Sequence, residues 1–310
     1  MNLDDKIYVA GHRGLVGSSL CRFLKQKGYT NILTASKTEL DCRNQKDVND
    51  FFEKYRPDYV FLSAAVVGGI KYNKEFPAKF LYDNLMIESN IIHSSYLNKV
   101  KKLLFLGSSC IYPKENPIPI DESRLLQSPL EPTNEGYALA KIVGIKMCEY
   151  YMKQYDCNFI SAMPCNLYGP NDCFDLDKSH VIPALILKFH NAKINGDKEV
   201  NVWGTGVAKR EFLHVDDLSS ALYFLMENYD YKSFINVGYG NEISMKELFN
   251  IVSKIVNYEG SLNFDITKPD GTLTKLMDSK KIRDMGWKPN ISLETGLKQT
   301  YDWFLSQNKI

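Results

Sequence analysis

Apolar and polar positions alternate in blocks through the first half of the chain. Ile7, Tyr8, Val9 and Ala10 form a short apolar run, and the amphipathic stretch over 18–27 after it predicts a helix ending near Gly28. A second strand is expected at 31–34, a helix at 47–55 and a strand at 59–63. Residues 64–70 are small and read as a loop at that strand's C-terminal end. A long helix at about 78–98 leads to a strand at 102–106, a helix at about 135–155 and a strand at 159–163. Strands alternating with helices predict an α/β fold: a doubly wound parallel sheet of the Rossmann type, with helices on both faces.

Beyond Pro164 the pattern changes. Residues 166–173 are rich in turn formers, helices are expected at 180–191, 216–228, 244–256 and 293–305, and short strands at 200–203 and 234–237. Ser244 followed by Glu247 is a capping box. The expected division is a nucleotide-binding domain at 1–165, with 213–238 returning to it. A smaller C-terminal α/β substrate-binding lobe takes 166–212 and 239–310.

Composition narrows the class. A 44% hydrophobic and 24% charged chain of 310 residues is that of a soluble globular protein. The formal net charge of +1 provides no field for nucleic acid or an anionic membrane, so neither is expected as a partner. No apolar run reaches the roughly 18 residues of a membrane span, and the first residues lack a signal peptide's basic and apolar regions. Seven cysteines without a Cys-x-x-Cys pair read as reduced thiols of a cytoplasmic protein. The five histidines form no ligand-spaced cluster, and no metal is expected.

Chemistry enters at the first strand. Gly11, Gly14 and Gly17 follow it directly and open a helix, which is the setting of a dinucleotide fingerprint, here spaced G-x-x-G-x-x-G. Glycines let the backbone approach a pyrophosphate, and the helix start, with Leu15 and Val16, offers free N–H donors. An NAD site normally has an acid just after the second strand to hold the ribose hydroxyl. Here Ala35, Ser36 and Lys37 stand there, and the first acid is Glu39. Lys37 and Arg13 suit a 2′-phosphate instead, which argues for NADP(H).

Tyr137 and Lys141 are four apart and share one face of the 135–155 helix. An ammonium one turn away is expected to lower the phenol's pKa and fit it to pass a proton to a carbonyl oxygen. Ser108 follows the 102–106 strand, where ligands of such sheets bind, and its hydroxyl can hold the same oxygen. Together the three describe hydride transfer between a carbonyl and an alcohol.

The stretches GHRGLVGS, ESNIIH, KLLFLGSSCIYP, LEPTNEGYALAK, NLYGPND, SHVIPAL, REFLHVDD, INVG and KPDG occur in order from 11 to 271. Through them the chain resembles the extended short-chain dehydrogenase/reductases. Within these it resembles the family that epimerises GDP-4-keto-6-deoxymannose at C3 and C5 and reduces it at C4. The resemblance implies a Ser108–Tyr137–Lys141 triad, with Cys110 and His180 as the proton-transfer pair of the epimerisation. It also implies NADP(H) contacts from Leu106, Gly107, Lys141, Pro164, Asn166, Leu167 and His180. A GDP-linked 4-keto sugar is the implied substrate, contacted by Lys188, Trp203, Arg210 and Asp278, and Lys188 stands where a bacterial member has arginine. A homodimer packed through two long helices of each subunit is implied as well. Read without the resemblance, Cys110 is a buried small hydrophobe and His180 a hydrogen bonder at a helix start. The residues leave open a C4-reductase of a related GDP-4-keto hexose or heptose that leaves epimerisation to another enzyme. They also leave open a cofactor-retaining 4-epimerase or dehydratase, and a non-catalytic NADP(H) sensor.

Overall fold

Every residue of β1 (Ile7–Ala10) is buried, and so are all five of β4 (Lys102–Leu106) and all six of β5 (Phe159–Pro164). Continuous burial is what a parallel sheet covered on both faces demands. In the computed structural model, which describes residues 1–176, 178–231, 233–267 and 270–307, these strands are joined by β2 (Ile32–Leu33), β3 (Tyr59–Leu62) and β10 (Ile235–Val237). The six strands run parallel in the order β10-β5-β4-β3-β1-β2. The register sets Ile7 against Tyr59, Tyr59 against Lys102 and Leu103 against Phe159. After β2 the chain crosses back to add strands on the other side of β1. The switch point between β1 and β3 opens a crevice at the strands' C-terminal ends.

Helices α1 (Leu15–Gln26), α2 (Gln45–Tyr55), α3 (Ile70–Glu75), α4 (Pro77–Leu97), α5 (Glu135–Tyr155) and α7 (Val215–Asn228) belong to this half. The apolar core of the sheet also takes in Met277, Ile282 and Trp287, although the sequence pattern assigns them to the lobe. They come from the chain around α9 (Lys280–Asp284), which lies against β10.

A second core forms between α6 (Val181–Asn195), α8 (Met245–Val256) and α10 (Leu293–Gln307). Its strands are β6 (Asn166–Tyr168) paired in parallel with β9 (Phe212–His214), and β7 (Glu199–Trp203) paired in parallel with β12 (Ser261–Asp265). β8 (Lys209–Arg210) pairs antiparallel with β11 (Ile243–Ser244). Most of these strands are two or three residues long, too short for a period-2 signal. Buried Glu211 ties the halves together: its carboxylate accepts from Gly240 N–H (2.7 Å) and Met277 N–H (3.2 Å). Of the KPDG stretch, Lys268 and Pro269 lie outside the described residues.

Candidate active site

The cleft is about 510 Å³ and lies across the C-terminal ends of β1, β3 and β4. Its floor is a backbone cradle. Gly11 has φ +85°, and a Cβ there would meet Ala64 Cα at 2.8 Å. A Cβ on Gly17 would meet the Gly11 carbonyl oxygen at 2.2 Å, so α1 can start this close to β1 only with glycine. Gly14 caps α1 without any side-chain bond, which leaves the first N–H groups of the helix for a ligand. A pyrophosphate fits this cradle.

Most of the expected site residues line the cleft. Gly11, Gly14, Leu15, Val16 and Gly17 form the cradle, with Lys37 at one end. Leu106, Gly107, Ser108, Tyr137 and Lys141 form the central wall. Pro164, Asn166, Leu167, His180 and Arg210 close the far side. Five others stay outside the lining: Arg13, Cys110, Lys188, Trp203 and Asp278. Arg13 is exposed, and its charge acts on His12 and Glu39. The Glu39 carboxylate accepts from the Ser36 N–H and hydroxyl, both at 2.7 Å, and after β2 it is Asp41 rather than Glu39 that lines the cleft. Arg43 bridges Asp41 (2.7 Å) and Asp83 (3.2 Å) on the same wall and holds the Asp41 carboxyl down to about 2.

The expected tuning of Tyr137 by Lys141 does not hold. Lys141 Nζ lies 5.8 Å from the Tyr137 ring centre but donates to buried Glu88 at 2.8 Å and to the Leu106 carbonyl at 3.1 Å. Glu88 sits on α4 within ESNIIH, and both partners of the ion pair are almost fully buried. Burial, then the Cys110 and Glu88 charges, push the Tyr137 phenol well above its ordinary range, while Ser108 pulls weakly the other way.

Ser108 is the junction of the site. It N-caps the short turn Ser109–Ile111, and its hydroxyl accepts from Cys110 N–H at 3.4 Å. The same hydroxyl favours the ionised form of both the Cys110 thiol and the Tyr137 phenol. Burial dominates at Cys110 and raises the thiol, with Lys275 the first charge opposing it. His180 is the N-cap residue of α6, but its ring makes no capping bond, so it is not the simple helix-start hydrogen bonder. It is exposed on the cleft wall, and the surrounding protein still lowers its pKa. Lys178 and Ser179, just before it, dock on Gly69: Gly69 N–H bonds the Lys178 carbonyl at 2.8 Å, and a Cβ there would lie 2.6 Å from the Ser179 carbonyl oxygen.

The lobe's expected substrate contacts are scattered. Trp203 is 69% exposed at the end of β7. Lys188 donates to the Asn201 carbonyl within the lobe. Asp278 bonds the Lys280 N–H at 2.8 Å, and the acid acting on Arg210 from the KPDG stretch is Asp270. Arg210 itself is oriented by carbonyls of Lys209 (2.7 Å) and Thr272 (2.6 Å).

Residues 7–238 match the NAD dependent epimerase/dehydratase family. GDP-L-fucose synthase 1 of Arabidopsis thaliana is 56% identical over 300 residues, 97% of this chain and 93% of that one. Two solved structures superpose along nearly the whole length. One is a GDP-6-OMe-4-keto-L-xylo-heptose reductase from C. jejuni, with a TM-score of 0.95, 39% identity and 99% of each chain covered. The other is a GDP-mannoheptose C4 reductase from Campylobacter jejuni with NADP bound, with a TM-score of 0.91, 40% identity and 98% and 99% covered. The chain belongs to the NAD dependent epimerase/dehydratase family of extended short-chain dehydrogenase/reductases and, within it, to the GDP-L-fucose synthases.

Proposed function

We propose that this protein takes GDP-4-keto-6-deoxymannose, inverts C3 and C5, and reduces the C4 ketone with NADPH. The observation that carries the reading is Ser108, whose hydroxyl stands beside both the Tyr137 phenol and the Cys110 thiol. It joins a ketone-reducing group and a proton-transfer group at one point. The glycine cradle and Lys37 suit NADP(H), which when bound would supply the hydride for C4. Tyr137, held as a neutral phenol, is loaded to give the C4 oxygen its proton, which is what the reducing direction needs. Ser108 donates to the same oxygen and fixes the ketone. For the inversion, a neutral imidazole at His180 can take a proton and a thiol at Cys110 can return one. The lowered imidazole and raised thiol leave both groups in those states at neutral pH. Arg210 is the cation for the diphosphate.

A C4-reductase without epimerase activity is the second reading. It is favoured by Cys110, which is 7% exposed and behind the cleft lining. The test is run in D₂O with GDP-4-keto-6-deoxymannose. Deuterium at C3 and C5 before NADPH is added, followed by NADPH oxidation, supports the bifunctional reading. Oxidation without exchange gives the second reading, and neither event defeats both.

We extend the proposal to a homodimer in the cytoplasm. Leu139, Val143 and Tyr150 recur on one face of α5 and are exposed, as is Tyr82 on the adjacent α4. The seven cysteines are free thiols, and no described helix is long and apolar enough to cross a membrane. A monomer mass by light scattering defeats the dimer.

A further inference from the structure

The turn-rich segment after β6 carries an acid that the functional reading does not use. Asp172 lines the cleft on the lobe side, the side of Arg210 and His180. The turn that presents it is fixed. Asn171 takes the left-handed conformation with φ 69°, and Asp172 N–H bonds the Gly169 carbonyl at 3.3 Å. Its Oδ1 accepts from Cys173 N–H at 2.8 Å. Its Oδ2 is buried and has no hydrogen-bond partner among the described residues. A buried carboxylate oxygen without a donor is costly, and a site in use supplies one. Among the described residues no cation offsets this acid, and burial, opposed only by the Cys173 N–H, pushes its carboxyl up to about 7.

We propose that Asp172 is a ligand-contact residue whose Oδ2 accepts a hydrogen bond from a hydroxyl or amide N–H of the molecule bound in the cleft. The proposal rests on the reading of the cleft as a site for NADP(H) and a GDP-sugar. Its position beside the lobe favours a sugar-nucleotide hydroxyl over the dinucleotide's carboxamide. A donor arriving at Oδ2 stabilises the carboxylate, so binding releases the carboxyl proton near neutral pH.

The experiment is isothermal titration calorimetry at pH 6.5 in buffers of different ionisation enthalpy, with GDP-L-fucose and NADP⁺ as separate probes. Wild type is compared with Asp172→Asn and with Asp172→Ser, whose hydroxyl can still accept from Cys173 N–H. The expected result is release of a fraction of a proton on binding GDP-L-fucose, lost in both variants, with affinity at least about tenfold weaker. The same loss with NADP⁺ instead assigns the donor to the dinucleotide and keeps the role of Asp172. Equal affinity and equal proton release in wild type and a folded variant for both probes overturn the Asp172 proposal alone. Proton uptake on binding that disappears in the variants also overturns it, because the carboxyl would then be a donor. Failure of wild type to bind either probe defeats the functional reading and this proposal with it.

Discussion

The two walls of the cleft are built differently. The sheet wall ends buried parallel strands, and its polar groups sit in locked positions: Lys141 on Glu88, Arg43 on Asp41 and Asp83, Ser108 on its own turn. The lobe wall hangs from strands of two to five residues, and beyond its lining Trp203 stands at 69% exposure. The first wall suits a proton and a hydride delivered to fixed positions. The second suits binding energy gained as a ligand arrives. Substitutions on the sheet wall are therefore expected to act on turnover or folding, and those on the lobe wall, His180 apart, on KM.

The largest effect is expected at Tyr137. Removing the phenolic proton donor in Tyr137→Phe should cut kcat by about 10²–10⁴-fold while NADPH affinity, read by fluorescence, stays within about twofold. A KM effect with kcat preserved would erase the contrast between the walls. Lys141 comes next. Lys141→Met leaves Glu88 as an uncompensated buried charge and should lower stability by about 3–5 kcal/mol in urea denaturation. Adding Glu88→Gln should recover most of that loss without restoring turnover. If the single substitution costs no more than an exposed ion pair does, the buried pair is not what locks the wall.

The same contrast governs what could be read from sequence. The long apolar periods of β1, β4, β5, α4 and α5, and the glycines at a strand–helix junction, are features of backbone geometry and leave a repeating trace. The crevice position follows from them, whereas most of the residues expected around it come from the resemblance, and Arg13, Cys110, Lys188, Trp203 and Asp278 lie outside its lining. Pairwise side-chain choices leave no trace of that kind. Burial of the phenol, with the Cys110 and Glu88 charges behind it, reverses the direction expected for Tyr137, and Glu88 holds Lys141, 53 positions away, only because folding brings the two together. Glu39 turns back on Ser36 by the same kind of choice, and Asp41 lines the cleft. The resemblance alone places Asp278 at the substrate, and the acids whose charges act on Arg210, Glu242 first and then Asp270, carry no signal of that in the sequence. Asp172 lay in plain view within NLYGPND, but nothing in the sequence says that its Oδ2 will be buried without a donor.

An intermediate effect is expected from pH. The walls of the cleft hold the His180 imidazole below its ordinary value of about 6.5. Its neutral form is the base, so deuterium exchange at C3 and C5 should persist on acidification and decline only through a midpoint below that value. His180→Gln should remove the exchange at every pH. An exchange rate that declines with a midpoint above 7 would assign the base to another group.

The smallest effects are expected in the lobe. Trp203→Ala should raise KM for the GDP-sugar by about three- to tenfold with kcat intact, since the largely exposed ring buries further surface when ligand covers it. Lys188 should matter still less. Its ammonium is engaged with the Asn201 carbonyl on β7, inside the lobe and away from the cleft lining. One hydrogen bond from a charged donor, partly open to water, stabilises by about 1 kcal/mol. Lys188→Met keeps the aliphatic stem and loses only that bond, so KM should change less than about threefold and stability by about that 1 kcal/mol. Lys188→Arg should be silent in both. A tenfold KM rise in Lys188→Met, reversed in Lys188→Arg, would mean that the lysine leaves Asn201 to meet the diphosphate. The lobe wall would then be remodelled by its ligand rather than merely covered by it.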